Sequence, residues 1–233
     1  MILEVLSTDE TGARENISTR GHREDDLDLN RYASARPYLY HLTHNANVAH
    51  LREMRRLIPT ATLVRLAGRL DLLRTPRRSS IAVVVEGRTI VLRDQKPLHK
   101  GDIRLPNGFR FEDFVESLNR RIFFWPGSDK KPISYGIRHF EHYKTENPAI
   151  LRIGLKALLE LNPTAVPRFC RYNSGSPRCS HGVKSPRSPQ TFVIESAFSE
   201  TVSSVVEVTF ESELDLPPST QRSSNPGGPW RPL

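Results

Sequence analysis

Three stretches far apart in the sequence carry the side chains best suited to chemistry. The first, "RPYLYHLTHNANVAHLREMRRLIP" from Arg36 to Pro59, sets His41 and Thr43 on one face of an alternating segment and follows them with Asn45 and Asn47. An imidazole, a hydroxyl and amides together hold a polar ligand by directional hydrogen bonds. The second, Ile122 to Trp125, is an aromatic run with Phe123, Phe124 and Trp125, ending at Pro126-Gly127. The third places Glu207 inside "SSVVEVTF", a β-branched run in which Val205, Glu207 and Thr209 share one face. A carboxylate in mid-strand costs desolvation unless it meets water, a partner or a ligand. Taken singly, each stretch also has a plain structural reading: a hydrogen-bonded sheet histidine, ordinary aromatic core, and an acid on a solvated sheet face.

Regular elements must carry these groups. Tyr38 to Thr43 alternates as a strand does, with Tyr38, Tyr40 and Leu42 on one face and Leu39, His41 and Thr43 on the other. Asn45 is placed to cap a helix whose Val48, Leu51 and Met54 keep helical spacing. A second helix after Pro59 sets Leu63, Leu66, Ala67 and Leu70 on its inner side. "SIAVVVEGRTIVLRD" reads as a hairpin turning at Glu86-Gly87. Phe111, Phe114, Val115 and Leu118 mark a helix leading directly into the aromatic strand. Further strands are predicted at Ala149 to Ile153, Thr191 to Ile194 and Val205 to Phe210, with a short helix at Lys156 to Leu161. Strands and short helices mix without regular βαβ alternation, so the fold class is α+β on a mostly antiparallel or split sheet. Residues 1–30, rich in charge and poor in apolar positions, read as a flexible arm. Residues 216–233, rich in Pro, Gly and Ser, read as a disordered tail, which leaves one domain over 31–215.

The chain has 233 residues and a net charge of +8, and the excess is clustered. From Arg65 to Arg104 ten cations face four carboxylates, and from Arg168 to Arg187 five cations face none. Clusters of this kind suit a polyanion or a phosphate-bearing ligand, while a generically basic solvated surface is the bland alternative. No apolar run approaches the ~20 residues of a membrane helix, and Met1 to Leu6 is too short for a secretory signal, so the expectation is a soluble, cytoplasmic protein without membrane contact. Cys170 and Cys179 have neither a second pair nor a histidine spacing that suggests zinc or a disulfide framework. Neither of the familiar glycine-loop nucleotide motifs occurs.

Taken together, the three stretches resemble the ADP-ribosyltransferase superfamily, in particular its DarT-like branch. Tyr40-His41-Leu42-Thr43-His44-Asn45-Ala46-Asn47 resembles the branch's first motif, "LNRRIFFWPG" its aromatic strand, and Glu207-Val208-Thr209-Phe210 the late strand of its catalytic glutamate. "VLRDQKPL" from Val91 looks like a further shared segment, and the likeness spans approximately Tyr38 to Leu214. Where the superfamily usually carries a tyrosine, the aromatic strand here has phenylalanines and Trp125 but no tyrosine.

The resemblance implies an ADP-ribosyltransferase-like split sheet with NAD lying across the split, as ADP-ribose donor, and no metal. It makes His41, Thr43 and Asn47 contacts to NAD, Phe123 or Phe124 the stacking ring, Glu207 the catalytic carboxylate and Arg93 a ligand of the diphosphate or transition state. The segment "RFCRYNSGSPRCSHGVKSPR" falls where the family recognises its acceptor, so Arg168, Arg171, Tyr172, Arg178, Lys184 and Arg187 are expected to bind DNA or RNA. The function implied is transfer of ADP-ribose to a nucleic-acid base by a bacterial toxin or anti-phage effector, for which an antitoxin protein is an implied partner. The alternatives are a non-catalytic nucleic-acid-binding module of the same fold and a related transferase acting on protein or on RNA phosphate.

Overall fold

A computed structural model describes residues 27–233. The first 26 positions of the arm expected over 1–30 lie outside these residues; Leu27, where the description begins, is already buried in the core. In chain order the elements are α1 (Leu29–Ala35), β1 (Tyr38–His44), α2 (Val48–Met54), β2 (Arg56–Leu57), α3 (Thr60–Leu66), β3 (Ile81–Val85), β4 (Arg88–Leu92), β5 (Ile103–Arg104), α4 (Phe111–Asn119) and β6 (Ile122–Gly127). They continue with α5 (Ser134–Tyr143), β7 (Pro148–Gly154), α6 (Leu155–Leu161), β8 (Arg168–Cys170), β9 (Ser185–Pro186), β10 (Glu207–Phe210), β11 (Leu214–Asp215), β12 (Gln221–Ser223) and β13 (Arg231–Pro232). The architecture is mixed α and β around a mostly antiparallel sheet, and no helix among the described residues is long and apolar enough to cross a membrane.

Seven strands form the main sheet in the order β13-β12-β7-β1-β6-β10-β8, every neighbouring pair antiparallel. Strand β6 serves two partners in succession: Ile122, Phe123 and Phe124 pair with β10, while Trp125, Pro126 and Gly127 pair with β1. Beyond Tyr40, β1 keeps its pairing with β7 alone, so β1 and β6 part after the Tyr40–Trp125 pair. The sheet therefore forks between His41 and Phe123. Gly127 follows Pro126 in the strand, and a β-carbon there would collide with the Lys131 carbonyl oxygen.

Alternation along the strands sends side chains to two faces. Leu39, Leu151, Ile153, Phe124, Val208, Phe210 and Phe169 pack against Tyr32 of α1 and Leu155 and Leu158 of α6. On the other side, Tyr40, Leu42, Trp125 and Ile150 meet Phe140 and Tyr143 of α5, and Cys170 meets α4 through Phe114, Val115 and Leu118. A satellite core joins Leu63 and Val64 of α3 to Val83, Val85, Ile90 and Leu92 of the β3–β4 hairpin, whose turn sets Glu86 and Gly87 at positive φ as a tight hairpin requires.

Several expected elements shift. In α3 the buried residues are Ala61, Leu63 and Val64, while Leu66 and Leu70 are exposed, because the helix ends at Leu66 instead of running on to Leu70. His44, not Asn45, caps the turn at residues 45–47 by accepting from the Ala46 N–H. Thr191 to Ile194 contributes one bridge, Phe169 with Val193, and no full strand. Residues 216–233 are not a tail: β12 adds to the edge of β7, Leu216 is buried and Trp230 packs on Tyr40. Composition misled because proline forbids a ladder bond only where it sits, and Gln221–Ser223, which form the ladder, contain none.

Candidate functional site

The fork opens into a cavity of about 260 Å³. His41, the first residue of β1 past the fork, lines it, and its Nδ1 lies 2.9 Å from the Phe123 carbonyl oxygen, across the gap where the ladder has stopped. A carbonyl only accepts, so Nδ1 carries the proton and Nε2 remains the ring's acceptor. Burial, with help from the nearby Arg93 charge, lowers the His41 pKa to about 4, which keeps the imidazole neutral. Phe123 lines the cavity from β6, its ring braced edge-on by Phe192 at 6.0 Å.

Glu207 opens β10 on the opposite side of the fork and is 4% exposed. Ser174, itself fully buried, donates to it twice: its backbone N–H to Oε1 at 3.2 Å and its hydroxyl to Oε2 at 2.6 Å. Two of the roughly four lone-pair directions of the carboxylate are thereby fixed, leaving the others for a ligand. Burial raises the Glu207 pKa to about 7, opposed by the Ser174 hydrogen bonds and by the Arg187 charge. No cation is in contact with the acid, so it is not spent on an ion pair among the described residues.

A third wall comes from the β3–β4 hairpin and α5. Asn47 docks the hairpin: its Nδ2 donates to Thr43 Oγ1 (3.0 Å) and to the Val91 carbonyl (2.9 Å), and its Oδ1 accepts from the Val91 N–H (2.8 Å). That docking delivers Arg93, just beyond β4, into the cavity. The Arg93 guanidinium lies 3.7 Å from the centre of the Tyr143 ring, and its Nη2 donates to His139 Nε2 at 2.9 Å. Its Nε is buried without a hydrogen-bond partner. Burial lowers the pKa of Arg93, and burial together with the Arg93 charge holds His139 well below the usual histidine range. Tyr143 donates to Asp94 Oδ1 at 2.8 Å, which completes a chain from hairpin to helix.

The sequence-derived candidates thus divide. His41, Thr43, Asn47, Arg93, Phe123 and Glu207 all line one cavity. Phe124 does not: it is 1% exposed and packs edge-on against Phe210 in the core, because alternation turns it away from Phe123. Both amide hydrogens of Asn47 and its carbonyl are already committed to Thr43 and Val91, so it acts as a staple and not as a free ligand contact. The six residues of the basic segment do not form one surface. Arg178 and Lys184 are exposed, Arg171 pairs with Glu200, and Arg168 and Tyr172 are half-buried. Arg187 is 3% exposed and donates to Ser185 Oγ, the Pro186 carbonyl and the Asn173 carbonyl. Among the lining residues not singled out from sequence as site residues are Ser174, His139, Tyr143 and Asp94. For α5 a signal existed, since Gly136, Phe140 and Tyr143 keep helical spacing, and a β-carbon at Gly136 would lie 3.0 Å from the Trp125 ring. For Ser174, a loop serine, sequence offered none.

Among the described residues no group of three or more His, Cys, Asp or Glu side chains is arranged to hold a metal ion. No curated protein and no solved structure matches the chain. A family model does match, over residues 37–217, a span that takes in both sides of the fork and every wall of the cavity: the chain belongs to a family of unknown function, DUF7002.

Proposed function

We propose that this protein is an NAD-dependent ADP-ribosyltransferase on an ADP-ribosyltransferase-like split sheet, with a nucleic-acid base as acceptor. One observation carries the reading. His41 and Glu207, from the first and one of the last strands of the domain, line the same cavity at a fork in the sheet, together with Phe123 and the half-buried Arg93. The donor set suits one half of a dinucleotide, the whole of which exceeds the enclosed space, since about 260 Å³ falls just below the ~300–1,000 Å³ of ligand sites. His41 Nε2 accepts from a ribose hydroxyl or carboxamide, Phe123 stacks on a flat ring, and Arg93, whose Nε lacks a partner, offers a guanidinium to a phosphate oxygen.

In this scheme the bond between ribose C1′ and the nicotinamide nitrogen breaks, and its electron pair leaves with nicotinamide. Positive charge builds on the ribose, and the ionised Glu207, held in place by Ser174, stabilises it where preorganised charge is worth most. A nitrogen of the acceptor base then attacks C1′ and releases its proton to solvent.

Incubation with labelled NAD and single-stranded DNA, RNA or a protein extract tests the reading. Label should appear on a nucleic acid, and Glu207→Gln should slow transfer and NAD hydrolysis by ~10²–10³-fold, the usual effect of losing one preorganised charge-stabilising group. Activity should rise with pH through about 7 as Glu207 ionises. Label only on protein would change the acceptor class. Undiminished turnover in the variant would remove Glu207 from the chemistry, and no turnover in the wild type would leave the chain as a binding module.

A further inference from the structure

The fold sorts the chain's excess cations into those that have partners and those that do not. Of the first basic cluster, Arg65 and Arg74 pair with acids of α4, Arg69 with Asp71, Arg88 with Glu53 and Lys96 with Asp94 and Glu146, while Arg77 is buried against Asn119. Arg93 lines the cavity and Arg78 donates to the Leu98 carbonyl, which leaves Lys100 and Arg104, both exposed and without an ion-pair partner among the described residues. The same is true of Arg178 and Lys184 in the second cluster. These two remainders are not independent. Strand β5 runs parallel to β9, Ile103 opposite Ser185 and Arg104 opposite Pro186, so Lys184 comes to lie beside the Lys100–Arg104 segment although some eighty positions separate them in sequence. Asp102 is the one opposing charge within residues 99–104 and 175–187.

We propose that this β5–β9 ledge holds the phosphate backbone of a single-stranded polynucleotide beside the mouth of the cavity; it rests on the transferase reading, for which it supplies the acceptor track. Unpaired cations gathered on neighbouring segments, as the β5–β9 pairing and the Ser180–Val183 bridge gather these, reinforce each other and attract a polyanion. The ledge is also fixed to the chemistry. Arg187 closes the segment on itself through the Ser185 hydroxyl at 2.7 Å and the Asn173 carbonyl at 3.1 Å, and the next residue, Ser174, holds Glu207. A base entering a cavity of about 260 Å³ must leave any duplex stack first, which favours a single strand.

The test is fluorescence anisotropy with labelled single-stranded oligonucleotides of DNA and RNA, with wild type, Lys100→Glu/Arg104→Glu, Arg178→Glu/Lys184→Glu, and a control of equal charge change, Arg36→Glu/Lys156→Glu. The control residues belong to the α1 and α6 region, whose helices pack on the opposite face of the sheet. Each ledge variant should bind at least ~10-fold more weakly at 0.1 M salt and lower the slope of log affinity against log salt by about 1.4 units for two lost phosphate contacts, whereas the control should change little. Turnover of NAD without nucleic acid, read in parallel, should be unchanged in the ledge variants. Equal losses in ledge and control variants, tighter binding of a blunt duplex, or preference for anionic lipid vesicles would overturn the proposal. If NAD turnover is absent but binding depends on the ledge as stated, the ledge stands and the transferase reading falls; if turnover is present and binding ignores the ledge, the reverse holds.

Discussion

Burial disfavours the charged form of Glu207. Its pKa is raised from about 4.5 to about 7, so between those values the folded protein keeps a proton that the unfolded chain has already lost. Stability from this group is complete below about pH 4.5 and drains away as pH rises through 7. Glu207→Gln mimics the protonated form. The variant should therefore be more stable than wild type at pH 8, by on the order of 2 kcal/mol, and the two should converge near pH 5. Urea melts at the two pH values measure this, and an unchanged difference would mean the carboxylate is better solvated than its burial implies. His41 acts in the opposite sense, since its depressed pKa withdraws stability as pH falls from 6.5 towards 4, but it is common to both proteins and cancels in the comparison. At this scale the sequence was informative: an acid amid β-branched residues and an imidazole on an alternating strand stand out by type alone. What did not stand out was their support. Ser174 matters through one contact with a residue 33 positions away, and no local pattern encodes such a contact.

Among the elements, the β3–β4 hairpin owes its place to one amide. Asn47→Ala removes three hydrogen bonds and leaves the Val91 N–H and C=O to find other partners, at a cost of ~2–3 kcal/mol. Hydrogen exchange should show protection lost first in β4 and in the Arg93 segment while the main sheet keeps its own; uniform loss across the sheet would mean the hairpin is not a separable unit. The hairpin itself was plain in the sequence because Glu86-Gly87 and the flanking β-branched runs are local signals. Its docking was not, because Asn47 reads equally well as a ligand group. Helix α5 was missed for a related reason: its buried side are a glycine and two aromatics, Gly136, Phe140 and Tyr143, with no aliphatic stripe to announce it.

For the whole molecule, the last eighteen residues belong to the sheet. Deleting 217–233 would uncover the β7 edge and strip Trp230 from Tyr40, so thermal unfolding should show a loss of more than ~2 kcal/mol and the truncated chain should associate through the bared strand. A truncated protein of undiminished stability that remains monomeric would contradict this. The fold class followed from the mixture of short strands and helices, whereas strand order did not, since β12 reaches β7 across some seventy positions and through linkers rich in proline.

The shared strand β6 has a consequence for how this site can change. Because one half of Ile122–Gly127 is zipped to β1 and the other to β10, the width of the gap between imidazole and carboxylate is governed by the twist of six residues, much as one pivot sets both jaws of a pair of pliers. Drift in that pivot cannot retune one jaw alone, so substrate preference is freer to diversify on the outer loops than at the grip itself.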